Sequence, residues 1–235
     1  MIGAVRERLN GRGPGEVAGL VAKNVAHALH RLSPAGWAAR QRDRAFDRRW
    51  GTETSGLANL SGLAVDRERA KHGVRYQPSS GAALERAVRT AGIEPQAFRF
   101  VDYGCGKGRI VMLASAMGFS PAVGVEFAPE LARTAEANVR AFLARGGART
   151  APEIVEGDAA AYVPPAGALF AYLYNPFGPV VLAEVIARLE AHAAAGHPVW
   201  VAYVDPRHLE LFDRSGRWEV RARDGDAALL RACAP

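Results

Sequence analysis

Residues 98–126 constrain the fold of this chain more than any other stretch. They read FRFVDYGCGKGRIVMLASAMGFSPAVGVE. Phe98 to Val101 is a short aromatic and branched run, hence a strand, and it ends at Asp102 in a loop carrying Gly104, Gly106 and Gly108. From Ile110 to Phe119 the apolar residues are too continuous for a surface helix and too many for one strand, which predicts a buried helix packed on a sheet. A second strand, Ala122 to Val125, stops at Glu126. Strand, glycine loop, helix, strand and terminal carboxylate make the first half of a nucleotide-binding βαβ unit. The glycines let the backbone approach a ligand, the helix start supplies free N–H groups, and the carboxylate suits two ribose hydroxyls.

The dinucleotide fingerprint G-x-G-x-x-G fits this loop poorly, because Arg109 stands where its third glycine belongs. The pattern is instead Asp-x-Gly-x-Gly-x-Gly. It resembles the first motif of the class I S-adenosylmethionine-dependent methyltransferases, an acidic residue followed by a G-x-G pair. That resemblance implies that Asp102, Gly104 and Gly106 line the methionine half of S-adenosylmethionine and that Glu126 holds its ribose. Lys107 and Arg109 are two cations at a helix start, where the dipole favours anions. An anion would compensate them, either the methionine carboxylate of the cofactor or an acidic substrate; the alternative is that both side chains reach into water.

Two downstream stretches extend the resemblance. The strand Glu153 to Val155 leads into Glu156, Gly157, Asp158 and Ala159. The family pattern puts an acid here to accept from the adenine amino group, which implies that role for Asp158 with Ala159 beside it. From the residues alone, an aspartate capping the next short turn is the alternative. Ala168 to Tyr174 is a central strand, apolar throughout, ending in Asn175, Pro176, Phe177 and Gly178. This resembles the Asn-Pro-Pro-aromatic motif of amino-directed methyltransferases, with Phe177 in place of the second proline and Gly178 where the aromatic would be. The resemblance implies that the Asn175 amide oxygen and the carbonyl preceding Pro176 accept hydrogen bonds from a nitrogen nucleophile. A plain Asn-Pro turn closing the strand is the structural alternative.

Upstream, Arg75 to Ser80 reads RYQPSS, and Ser79 or Ser80 can cap a helix from Ala82 to Thr90. A Tyr-x-Pro segment one helix before the glycine loop is similar to several methyltransferases, including a group that modifies protein lysines. By that similarity Tyr76 borders the cofactor pocket and helps place the acceptor; otherwise it is a tyrosine packed under the sheet edge. For an oxygen acceptor a base is expected, and His72 is the nearest candidate in sequence.

The remaining pattern completes an α/β layout. Helices are expected from Pro129 to Gly146, from Val180 to Ala195, and from Pro206 to Asp213 with Asp205 as cap. A fifth strand runs from Val199 to Val204, and Trp218 to Ala222 with Ala227 to Cys233 form a hairpin around Arg223 to Asp226. The expected fold is a doubly wound, mostly parallel seven-stranded sheet with a C-terminal antiparallel hairpin, whose last strand inserts antiparallel, as the resemblance implies over Tyr76 to Ala234.

Charge divides the chain. Residues 1–50 hold ten Lys or Arg against four Asp or Glu, whereas residues 51–235 hold twenty against twenty. The net charge of +6 therefore belongs to the N-terminal arm, and two regions are expected: a basic helical arm and lid over 1–75, and a cofactor-binding domain over 76–235. Val17 to Leu32 has helical spacing, broken by Pro34 and Gly36, and Ala38 to Trp50 is a solvated helix with aromatic anchors Phe46 and Trp50. The first suits self-association or packing on the domain, or else a membrane surface or nucleic acid. Gly51 to Gly62 is a loop, either a lid or an irregular connection.

His27 and His30 share a helix face without a Cys or carboxylate, so no metal site is expected. With two cysteines, Cys105 and Cys233, a reducing compartment such as the cytoplasm suits the chain, and no apolar run approaches the ~20 residues of a membrane span. No secretory signal is read, while an Arg-rich transit peptide stays open. The expectation is a methyltransferase acting on a nitrogen of a small molecule or protein side chain. Its rivals are a nucleic-acid-binding module using the arm, which lacks interleaved stacking aromatics, and a nucleotide-cofactor oxidoreductase.

Overall fold

The computed structural model describes residues 33–55 and 81–233, and among these residues seven strands and seven helical segments follow one another. The expected helix Val17–Leu32, the segment Arg75–Ser80 with Tyr76, and His27, His30 and His72 lie outside these residues. Contacts divide the chain into two units, 1–45 and 46–235. The boundary expected at 75/76 falls among residues not described. Helix α1 is Pro34–Trp50, four residues longer at its start than the sequence suggested. Ser33 explains the difference: its hydroxyl accepts from the Gly36 N–H at 3.1 Å, an N-cap that puts Pro34 at the first helical position, where proline opens a helix instead of breaking it.

The second unit is a sheet covered on both faces. Its elements are α2 (Gly81–Ala91), β1 (Arg99–Tyr103), α3 (Arg109–Met117), β2 (Ala122–Glu126), α4 (Pro129–Ala144), β3 (Glu153–Glu156), β4 (Leu169–Tyr174), α5 (Pro179–Ala194), β5 (Val199–Val204), α6 (Glu210–Asp213), β6 (Trp218–Asp224) and β7 (Ala227–Ala232). The strand order is β3-β2-β1-β4-β5-β7-β6. Strands β1 to β5 pair in parallel, and β7 enters antiparallel between β5 and β6. The doubly wound sheet and inserted hairpin expected from the sequence are thus present.

Period-two alternation separates the two faces. Val101, Tyr103, Val123, Leu169, Ala171, Leu173, Val201 and Tyr203 join Leu182, Val185, Ile186 and Leu189 of α5 on one side. Phe100, Phe170, Tyr172, Trp200 and Ala202 meet Leu84 and Val88 of α2 and Ile110, Val111 and Ala114 of α3 on the other. A third cluster joins Met112, Val139 and Phe142 to Phe46 and Trp50, the two expected anchors. Trp50 meets the Phe142 ring edge-on at 4.7 Å and Phe46 stacks on it at 6.4 Å. Helix α4 ends where Gly146, at φ +69°, lets the Gly147 N–H turn back to the Phe142 carbonyl at 3.0 Å.

Two expectations need correction. Asp205 caps no helix: α6 begins at Glu210 after Leu209, and no side chain caps it. The hairpin strands run closer to the turn than expected, leaving Gly225 and Asp226 as its loop, with Gly225 at φ +58°. Among the described residues no helix is long and apolar enough to cross a membrane, and no three His, Cys, Asp or Glu side chains group as metal ligands.

Candidate functional site

The chain reverses the direction in which strands are added between β1 and β4, so the carboxyl ends of these two strands flank the crevice where open α/β sheets bind ligands. The glycine loop fills one side. Gly104, Gly106 and Gly108 all have positive φ, at +81°, +56° and +81°. Gly104 also meets the other side: a Cβ there would lie 2.7 Å from the Pro176 Cβ, so only glycine lets the loop approach the turn after β4 this closely.

Asp102 lies within β1, which extends to Tyr103 instead of ending at Val101. It is 4% exposed, opposite Gly124 of β2 and Tyr172 of β4. Burial, reinforced by the nearby Glu126 carboxylate, pushes its carboxyl well above the usual range. Glu126, equally buried, ties the loop to the end of β2: Oε2 accepts from the Gly106 N–H at 2.8 Å and Oε1 from the Ala128 N–H at 2.9 Å. Burial raises its carboxyl too, and backbone N–H groups of Ala128, Gly106 and Phe127 oppose that rise. A carboxylate offers about four acceptor positions, so these two bonds leave capacity for ribose hydroxyls. Two buried acids side by side resist carrying both negative charges, a tension that a ligand cation would relieve and a ligand anion would worsen.

Lys107 and Arg109 do not reach into water; they are 8% and 5% exposed. Lys107 Nζ pairs with Glu53 Oε1 at 2.8 Å, so the chain itself supplies an anion to this cation. The Arg109 guanidinium sits 4.6 Å over the Phe46 ring. Asp158 does what the capping alternative described: its Oδ1 accepts from the Ala160 N–H at 3.0 Å and its carbonyl accepts from Ala161 and Tyr162. Ala159 is buried in the core cluster below.

Asn175 follows β4 at φ +37° and is 3% exposed. Its Nδ2 donates to Asp205 Oδ2 at 3.0 Å. Pro176 and the buried Phe177 close over Gly104. The structure therefore gathers Asp102, Gly104, Gly106, Glu126, Asn175 and Pro176 at one sheet edge, and sets Arg109 behind the loop against Phe46.

Sequence reasoning placed a loop from Gly51 but missed what anchors its start, the segment that Lys107 touches. Asp47 gathers it: Oδ1 accepts from the Thr52 hydroxyl and from the Thr54 N–H and hydroxyl at 2.8–2.9 Å, and Oδ2 accepts from the Ser55 N–H at 2.8 Å and its hydroxyl. Asn138, 4% exposed, accepts from the Glu53 N–H at 2.7 Å and donates to the carbonyls of Glu53 and Lys107. Residues 51–55 are thereby bound to both α4 and the glycine loop. A signal existed: Asn138 falls on the Leu131, Ala135, Phe142 stripe of α4, a polar residue where an apolar one is expected.

No family model and no curated protein sequence matches the chain. Solved structures do. A ribosomal protein L11 methylase from Lactobacillus delbrueckii subsp. bulgaricus aligns over 68% of this chain and 81% of its own, at 15% identity and TM-score 0.50. An RNA methyltransferase from Salinibacter ruber, solved with S-adenosyl-L-homocysteine, aligns over 68% and 94% at 23% identity and TM-score 0.49. A glycopeptide N-methyltransferase complexed with S-adenosyl-L-methionine aligns over 66% and 93% at 11% identity and TM-score 0.47. Together with the strand order, the first of these likenesses gives the fold: that of the class I methyltransferases.

Proposed function

We propose that the protein is an S-adenosylmethionine-dependent methyltransferase whose acceptor is a nitrogen of a small molecule or of a protein side chain. The observation that carries this is the buried Asp102 and Glu126 pair beneath the glycine loop. Glu126 alone would suit the ribose of either cofactor, but Asp102 discriminates: a dinucleotide would bring its pyrophosphate, an anion, toward a buried acid that already resists ionising. S-adenosylmethionine brings an α-ammonium and a sulfonium, both cations. The inserted antiparallel β7 also departs from the all-parallel 3-2-1-4-5-6 order of dinucleotide-binding sheets.

In this arrangement Asp102 faces the ammonium, Glu126 holds the ribose hydroxyls, and Asp158 with Ala159 borders the adenine. Gly104 and Gly106 let the backbone close around the methionine half, and Arg109 at the positive end of α3 lends its charge to the side that takes the methionine carboxylate. The cofactor supplies a sulfonium-activated methyl carbon, so the chain's own residues have to align an acceptor and shield it from water. Asn175 Oδ1 and the carbonyl preceding Pro176 accept from the acceptor's N–H groups and aim its lone pair; the Tyr-x-Pro resemblance gives Tyr76, outside the described residues, a share in placing the acceptor. An ammonium acceptor first loses a proton to water.

Titration calorimetry tests this. S-adenosylhomocysteine is expected to bind the protein, more weakly after Glu126→Ala or Asp158→Ala, with no heat from NADH. Unchanged affinity in both variants, or binding of NADH alone, contradicts the assignment.

A further inference from the structure

Two residues other than glycine have positive φ among the described residues, Asn175 at +37° and Asp205 at +46°, and they touch. They follow the paired ends of neighbouring strands, since Tyr174 of β4 lies opposite Val204 of β5. Asparagine and aspartate tolerate this left-handed conformation better than other residues with a side chain, yet it still costs something and persists where surroundings impose it. The surroundings here are specific. The Asp205 N–H donates to the Asp226 carbonyl of the β6–β7 turn at 2.7 Å, and its Oδ2 accepts from Arg207 Nε at 2.9 Å as well as from Asn175 Nδ2 at 3.0 Å.

A carboxylate only accepts, so the atom of Asn175 that meets it is the NH2. That contact settles the orientation of the amide, because turning it over would set two oxygens against each other. Among the described residues, no donor reaches Asn175 Oδ1. We propose that Asp205 is the positioning residue of the transfer site, locking the Asn175 amide so that Oδ1 and not the NH2 is offered to the acceptor nitrogen, with Arg207 and the β6–β7 turn holding Asp205 in place. This inference rests on the methyltransferase assignment. It makes the inserted hairpin part of the site: its turn fixes the residue that fixes the amide.

Two cofactor analogues read the orientation without an identified acceptor. S-adenosylhomocysteine lacks the methyl, while sinefungin carries a protonated amine at the methyl's place. An amide oxygen at the transfer site favours the amine; an NH2 there repels it. Asp205→Gly removes the carboxylate and accepts φ +46° without strain, so the fold is retained. By calorimetry, the preference for sinefungin over S-adenosylhomocysteine is expected to fall roughly tenfold in Asp205→Gly, the size of one charge-assisted hydrogen bond, with S-adenosylhomocysteine affinity within about twofold of the parent. Asn175→Ala should lower the preference similarly, and the double variant no further. Asp205→Asn, which keeps an acceptor oxygen, should restore part of it. An unchanged preference in Asp205→Gly overturns the proposal, and so does an equal loss for both ligands, which is what a merely structural residue would give. If the parent protein binds neither analogue, the methyltransferase assignment itself falls, and this inference with it.

Discussion

Replacing Asp47 with Asn should loosen residues 51–55 without disturbing the sheet, and the size of the effect follows from the carboxylate's surroundings. Burial alone would raise this carboxyl, but hydrogen bonds from Ser55, Thr54 and Thr52 outweigh it and lower it from 3.8 to about 2. At 1.36 kcal/mol per pH unit the difference is worth about 2.4 kcal/mol. Asp47 is half-buried, so solvent screening reduces this to about 1–1.5 kcal/mol. An amide has one acceptor oxygen where the carboxylate has two, so the Thr54 or the Ser55 N–H must lose its partner. Amide hydrogen exchange of residues 51–55 should accelerate about five- to tenfold in Asp47→Asn at neutral pH, with that of β1 and β4 unchanged. The sign with pH is fixed as well. A depressed folded-state value means the stabilisation is fully present above 3.8 and is lost as pH falls toward about 2, so the two proteins should converge on acidification. Equal exchange at neutral pH, or a gap that widens in acid, would refute the role given to Asp47.

The buried acid Asp102 runs the other way. With its folded-state value raised, its stabilisation is fully present below 3.8 and lost as pH rises through the raised value, so Asp102→Asn should melt above the parent at neutral pH without ligand and match it in acid, while binding S-adenosylhomocysteine more weakly; thermal melts across pH with and without ligand check both halves. Gly104→Ala should destabilise by about 2–4 kcal/mol, combining left-handed strain with a Cβ pressed on Pro176, and should displace the Asn175–Pro176 turn; chemical denaturation and ligand titration measure the two effects.

Much of the fold was legible because the buried strands announce themselves. Leu169–Tyr174 and Val199–Val204 are apolar on both faces, as parallel strands covered by helices must be. The glycine loop with its flanking acids was equally plain. The misread places were those where one residue type serves two purposes. Pro34 looked like a helix stop and is a helix start, because Ser33 caps it. Asp205 looked like a cap for the segment after Pro206, yet its carboxylate is taken by Asn175 and Arg207, partners that lie 30 residues upstream and two residues downstream. Asp47 and Asn138 act through contacts with 51–55 that no local pattern encodes, save the polar break Asn138 makes in an apolar stripe. Lys107 and Arg109 were recognised as electrostatically anomalous, but Glu53 and Phe46, which face them, come from more than fifty residues earlier.

The central claim is that the crevice between the glycine loop and the Asn175–Pro176 turn is built for an adenosyl thioether. A crystal structure of the protein saturated with S-adenosylhomocysteine tests it most directly. The account predicts the ligand in that crevice, its ribose on Glu126, its α-ammonium toward Asp102 and its adenine beside Asp158. An empty crevice at saturating ligand, or one that takes up a pyrophosphate cofactor instead, would contradict it.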